Sequence, residues 1–176
     1  MRITSGRLAG VALVEPELLT DERGFFARAL CARELAAAGI DLAVVQCNIS
    51  YNRARGTLRG LHYQVAPHAE AKFVRCTTGA IHDVVVDVRP ESPTYLQWEA
   101  FTLSAANRAT LYVPTGIAHG FQTLEDDSEV SYLMSAFYAP ECARALAWND
   151  PVLGITWPVA DPIISDRDRA HAWLRR

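Results

Sequence analysis

The spacing of turn residues restricts the fold of this chain more than any other feature. Ten glycines and nine prolines punctuate its 176 residues into short apolar segments, the pattern of many strands joined by turns. Strands are predicted near 42–49, 57–64, 71–77, 80–88, 96–103, 109–114, 119–124 and 129–138, many of them rich in Val, Ile, Leu, Phe, Tyr and Thr. In Ile81–Val88 the residues His82, Val84, Val86 and Val88 alternate with Ile81, Asp83, Val85 and Asp87, so an apolar face opposite a polar one is expected, as in a barrel wall. One Ala-rich helix is predicted from Leu30 to Ala38, with Gly39 as its terminator, and a short final helix from Asp166 to Leu174. Strands with so little helix predict an all-β jelly-roll barrel or sandwich rather than an α/β fold. The length suits a single domain spanning residues 1–176.

Charge and composition exclude several function classes. A net charge of −3 gives no bulk attraction to nucleic acid, so anion binding must come from local arginines. The apolar runs are far shorter than a membrane span, and Met1–Gly6 has no apolar signal region. The four cysteines, Cys31, Cys47, Cys76 and Cys142, have no metal-ligand spacing and read as reduced thiols of a cytoplasmic protein. No Walker or Rossmann phosphate loop and no GxSxG elbow is present, which argues against ATP, nicotinamide and serine-hydrolase chemistry.

Candidate chemistry gathers around Arg59-Gly60-Leu61-His62-Tyr63-Gln64, Lys72 and the later turn-and-strand segment Pro114-x-Gly116-x-x-His119. In an ideal strand Arg59 points away from His62 and Gln64, and Gly60 is placed to form a bulge that re-aims it. His62 is a candidate general base because imidazole titrates near neutrality, against the alternative of a satisfied structural histidine. Lys72 is either a solvated strand lysine or a cation for an enolate oxygen. Tyr132 and Tyr138 suit packing, proton delivery or stacking on a flat ligand. Arg23, beside Gly24, is a surface-loop arginine or a diphosphate clamp. Asp168 is a helix-cap neighbour or the carboxylate that orients a histidine. A mononuclear metal centre using His119 would want a His-x-His pair and a carboxylate such as Glu70. The pair is broken by Gln64, so no metal is expected.

Several motifs, in order, carry a resemblance. They are Asp21-x-Arg23-Gly24-x-Phe26, Gln46-x-Asn48-x-Ser50, Arg59-Gly60-Leu61-His62, Lys72-Phe73-Val74-Arg75-Cys76, Asp83-x-x-x-Asp87-x-Arg89, Ser92-Pro93-Thr94, Val113-Pro114-x-Gly116-x-Ala118-His119-Gly120-Phe121 and Trp148-Asn149-Asp150-Pro151. Together they resemble the dTDP-4-dehydrorhamnose 3,5-epimerase family over residues 3–170. The resemblance implies a cupin-type jelly roll, a homodimer, and no metal or organic cofactor. It implies action on a nucleotide-diphosphate sugar, dTDP-4-dehydro-6-deoxyglucose, in nucleotide-sugar biosynthesis for polysaccharides and O-antigen. By resemblance, His62 is the base at C3 and C5, Asp168 its orienting partner, Lys72 the enolate cation and Tyr132 the proton donor on the opposite face. Arg23, Arg59, His119 and Arg167 would hold diphosphate or sugar, Gln46 and Asn48 would lie along the nucleotide, and Tyr138 would stack near the base.

Two departures stand out. Positions where the family usually carries glutamate are Arg28 and Ala143, which is expected to make one end of the site more positive and to shift the nucleotide or sugar preference. Epimerisation at C3 alone, or 3,4-ketoisomerisation, is the neighbouring reading. A metal-dependent cupin and a non-catalytic sugar-binding cupin stand further off.

Overall fold

The structure of the chain, a computed structural model, describes residues 1–41 and 43–174. Among the described residues there are fourteen strands and two helices. The strands are β1 (Arg2–Ser5), β2 (Ala12–Glu15), β3 (Leu18–Asp21), β4 (Gly24–Ala27), β5 (Gln46–Asn52), β6 (Thr57–Gln64) and β7 (Lys72–Thr78). They continue with β8 (Ala80–Asp87), β9 (Trp98–Ser104), β10 (Thr110–Val113), β11 (Ile117–Thr123), β12 (Ser128–Met134), β13 (Ala143–Ala145) and β14 (Ile163–Ile164). Helix α1 (Ala32–Ala37) follows β4, and α2 (Asp166–Arg169) follows β14.

One six-stranded sheet runs β1-β2-β10-β7-β12-β5; the other runs β13-β6-β11-β8-β9 with β14 beside β6. The strands β3 and β4 form a separate hairpin. The two sheets face each other in the expected jelly-roll arrangement. All eight anticipated strands from β5 to β12 are present. Expected strand 42–49 begins at Leu42, which lies outside the described residues, and β5 is found over Gln46–Asn52.

Side-chain alternation divides the space between the sheets into a dry end and a wet end. Val74, Cys76, Ile81, Val85, Leu111, Val113, Ile117, Phe121 and Val130 fill the dry end. Further along the same inward rows, the side chains become Gln46 and Asn48 on β5, Lys72 on β7, and Tyr132 and Met134 on β12. The sequence thus writes a hydrophobic core and a polar pocket onto one set of faces. Burying the dry end supplies the main cohesion, at about 25 cal/mol for each Å² of apolar surface removed from water.

Strand β8 corrects the one-face expectation. Asp83 and Asp87 lie on the inner face with Ile81 and Val85, fully buried. The Val84 and Val86 face is also dry, because Leu146, Leu153, Ile155 and Trp157 of the C-terminal segment cover it. The Asp87 carboxylate is satisfied by Arg89 Nε and Nη2 at 2.9 and 2.7 Å, Ser92 Oγ at 2.6 Å and Thr94 Oγ1 at 2.7 Å. Burial alone would raise its pKa; these donors outweigh burial and hold it well below the usual carboxylate range.

The helices are shorter than predicted. Helix α1 begins only at Ala32, because Cys31 is extended, and ends before Gly39, whose φ of +76° turns the chain. Leu35 and Ile40 pack it against the outer face of the β1-containing sheet. Helix α2 stops at Arg169 because the following chain docks on the Trp-Asn-Asp-Pro turn: Leu174 N donates to Asp150 Oδ2 at 2.5 Å and Trp173 Nε1 to Asn149 Oδ1 at 3.2 Å.

Candidate active site

The wet end opens as a cavity of about 650 Å³ lined from both sheets. Strand β6 delivers His62 and Arg59 to the same wall. The register against β11 runs His119↔His62 but Phe121↔Arg59, an irregularity that flips the parity of Arg59. Gly60 permits it. Its φ is +128°, and a Cβ there would fall 2.5 Å from Gly120 Cα. The predicted bulge is therefore real, and it turns two residues three apart toward one pocket.

Strand β14 runs parallel to the start of β6 and sets α2 beside it. Ser165 Oγ caps α2 by accepting from Asp168 N at 3.2 Å. The Asp168 side chain then accepts at both oxygens: Oδ1 lies 2.8 Å from His62 Nε2, and Oδ2 lies 3.3 Å from Gly60 N. Asp168 is buried while the His62 side chain is 44% exposed, so the imidazole is anchored behind and open in front. Burial by itself would raise the Asp168 carboxyl, but the His62 and Gly60 bonds outweigh it and keep the group below its ordinary range. A carboxylate fixed on Nε2 leaves Nδ1 as the ring atom for a reacting proton.

The opposite sheet supplies the other groups. Lys72 Nζ lies 2.8 Å from Glu70 Oε1, both nearly buried. Glu70 is thereby a lysine partner. The Tyr132 phenol is pushed well above its ordinary range, first by burial and then by the Asp83 charge. It stays protonated at any working pH, as a proton donor must. His119 forms a second, fully buried pair, with Nε2 2.9 Å from Asp83 Oδ2, and stands edge-on to Tyr132 at 6.1 Å.

Gln46 Nε2 donates to Asn48 Oδ1 at 3.0 Å, which fixes both amides along the β5 rim. Arg59 Nε donates to Asn52 Oδ1 at 2.8 Å, holding the guanidinium across that rim. Tyr138 and Arg167 also line the cavity. The cavity therefore gathers a carboxylate-backed imidazole, a buried ammonium, a phenol from the facing sheet and three arginines, Arg59, Arg144 and Arg167. Such a set can take a proton beside a carbonyl, neutralise the oxyanion and return a proton from the other side.

Comparison with known proteins bears on this directly. The sequence model of dTDP-4-dehydrorhamnose 3,5-epimerases matches residues 5–176. The chain belongs to this family. A relative from Sinorhizobium fredii with that name is 43% identical over 99% of this chain and 90% of its own length. One from Pseudomonas aeruginosa is 44% identical over 96% of this chain and 93% of its own. The crystal structure of the Bacillus anthracis family member with TDP and pyrophosphate bound has a TM-score of 0.95 and 41% identity, covering 98% of this chain and 99% of that one.

Eleven residues were singled out from the sequence, and all but Arg23 reach this cavity or its carboxylate. Arg23 sits at the tip of the β3–β4 hairpin, paired with Asp21 at 2.5 Å, and does not line the pocket of its own chain. Of the two departures from the family pattern, Ala143 does line the cavity, beside Arg144. Arg28 does not; it pairs with Glu34 of α1 at 3.3 Å. The arginine beside Ala143 at the pocket is Arg144. Sequence reasoning missed His171, which also lines the cavity next to Asp168. The Asp-x-x-His spacing, one helical turn, was its only signal.

Proposed function

We propose that this family member epimerises C3 and C5 of dTDP-4-dehydro-6-deoxyglucose, giving dTDP-4-dehydrorhamnose through enolate intermediates. The observation that carries the reading is that His62 and Tyr132 stand on opposite sheets of one cavity. Inversion at a carbon requires a base on one face of the sugar and an acid on the other. His62, held by Asp168, removes the proton beside the ketone; Lys72 stabilises the charge that develops on the C4 oxygen. Tyr132 returns a proton from the far face. Arg59, Arg167 and His119 hold the diphosphate and sugar, Gln46 and Asn48 run along the nucleotide, and Tyr138 stacks near its base. The reaction needs only these acid–base groups, and the four free thiols suit a reducing cytoplasm.

The working unit in this reading is a homodimer. The β3–β4 hairpin exposes Leu19 (63%) and Phe26 (70%), and the β5 edge strand exposes Ile49 (68%) beside the pocket. Pairing these surfaces between copies hides the apolar groups and brings Arg23 to the pocket of a second copy. Sedimentation velocity tests it: wild type should run as a dimer, and Phe26→Asp as a monomer.

The chemistry is tested by proton NMR of the 4-keto sugar nucleotide in deuterated water. Deuterium should enter at both C3 and C5 with wild type and at neither with His62→Ala. Entry at C3 alone would replace the reading with a single-centre epimerase.

A further inference from the structure

His171 takes no part in the mechanism above, yet its Nε2 is buried and without a hydrogen-bond partner. An orphaned polar atom inside a pocket calls for a ligand. The closest carboxylate oxygen, Asp168 Oδ1, lies 3.8 Å away, too far for a hydrogen bond. That same oxygen is 2.8 Å from His62 Nε2, and the ligand atoms of His62, Asp168 and His171 all lie within 4.8 Å of one another. We infer that these three side chains form a site for a divalent ion of the zinc class, and that an ion seated there switches off the base.

The geometry supports the ion closely. Zinc binds imidazole nitrogen and carboxylate oxygen at about 2.0–2.1 Å, so the edges of its tetrahedron are about 3.3 Å. Two of the site's three edges, 2.8 and 3.8 Å, straddle that value and need to change by about half an ångström each, while the two imidazole nitrogens, within 4.8 Å of one another, need to close by at most about 1.5 Å. Two imidazoles and one carboxylate are a donor set for first-row transition ions and leave a coordination position open. His171 lies three residues after Asp168, just past the end of α2, and its ring stands edge-on to that of His62 with centroids 6.4 Å apart. All three residues line the cavity, which gives an ion an entry path.

Inhibition follows from the chemistry of imidazole, and rests on the reading of His62 as base. A neutral imidazole that ligates through Nε2 carries its proton on Nδ1. The ring atom that should accept the sugar proton is then already occupied, and the ion also takes the Asp168 oxygen that supports the protonated ring. The ion's open position faces the cavity, where it competes with the sugar.

The test titrates zinc chloride alone into chelator-treated protein by calorimetry, with cobalt(II) absorption as a second readout. One ion per chain is expected, with visible cobalt bands of a low-coordinate imidazole site. His171→Ala and His171→Gln, each confirmed folded by its melting curve, should lower affinity by at least about tenfold. Epimerisation by wild type should fall on adding zinc and return with chelator. The His171 variants, each scored against its own chelator-treated rate, should resist zinc. Equal zinc affinity in wild type and both variants overturns the site, as would zinc that binds through His171 without slowing turnover. If zinc binds through His171 but chelator-treated protein turns over no sugar nucleotide, the ion site is upheld and the epimerase reading fails instead.

Discussion

Replacing Asp168 with asparagine isolates the contribution of one charge. The carboxylate accepts from His62 Nε2 at 2.8 Å and from Gly60 N at 3.3 Å, and the residue is only 6% exposed. An amide of the same shape has one acceptor. If its oxygen serves Gly60, its NH₂ faces His62 and forces Nε2 to accept, which moves the ring proton to Nδ1. If its oxygen serves His62, its NH₂ opposes the Gly60 N–H. Either arrangement loses the anion that supports imidazolium as the sugar proton arrives. Losses of this kind lower general-base catalysis by about 10²–10⁴-fold. That is about 2.7–5.4 kcal/mol of transition-state stabilisation. The fold should lose far less, about 1–3 kcal/mol for the buried bonds. The assay is the rate of deuterium entry at C3 and C5 at 25 °C, beside dTDP affinity by calorimetry. Entry should slow by the stated factor with dTDP affinity within about threefold, since the proposed nucleotide position along β5 is on the sheet opposite Asp168. A loss below about tenfold, or an equal loss of nucleotide affinity, would refute the dyad argument.

Three other outcomes follow from the geometry. Tyr132→Phe should lower product formation by about 10²-fold or more while deuterium still enters with retained configuration, because His62 can return what it removes; NMR separates the two. Gly60→Ala puts a Cβ 2.5 Å from Gly120 Cα and 3.0 Å from the His119 oxygen at a φ of +128°, so it should cost about 2–3 kcal/mol and re-aim Arg59. Melting and dTDP calorimetry would show both effects. Asp87→Asn should cost about 3–5 kcal/mol, or about 6–20 °C in Tm, by leaving Arg89 without its partner. The Asp87 and Asp168 carboxyls are both held below their ordinary values. Their contribution to stability is therefore complete above about pH 4, where unfolded carboxyls ionise, and is lost as pH falls toward the folded values. Denaturant midpoints measured from pH 6 downward should show that acid limb, flattened in Asp87→Asn.

The strands from β5 to β12 were legible because their β-branched and aromatic residues alternate between turn glycines. The first four strands were not. Each of β1 to β4 spans only four residues, and β3–β4 exposes its apolar groups rather than alternating them. Gly60 announced the bulge that turns Arg59 inward, since few other features would place glycine mid-strand. The family resemblance named most pocket residues, but spacing alone did not place Asp168 against His62, because a contact across 106 residues has no local signature. Arg28 stays outside the pocket of its own chain, where it pairs with Glu34 six residues on. The buried Val84–Val86 face was hidden because its cover comes from residues more than fifty positions later.

The pairing of β6 with the final helix also sets a clock. Both sheets can assemble from residues up to β13, yet the base is unfinished until Asp168 arrives. At about 5–20 residues per second, a ribosome needs about 5–20 s between making His62 and making its carboxylate. Until the end of that interval the imidazole lacks the carboxylate that holds it. Turnover therefore reports that synthesis has passed the last helix, because a chain stopped before it lacks the carboxylate that holds the imidazole.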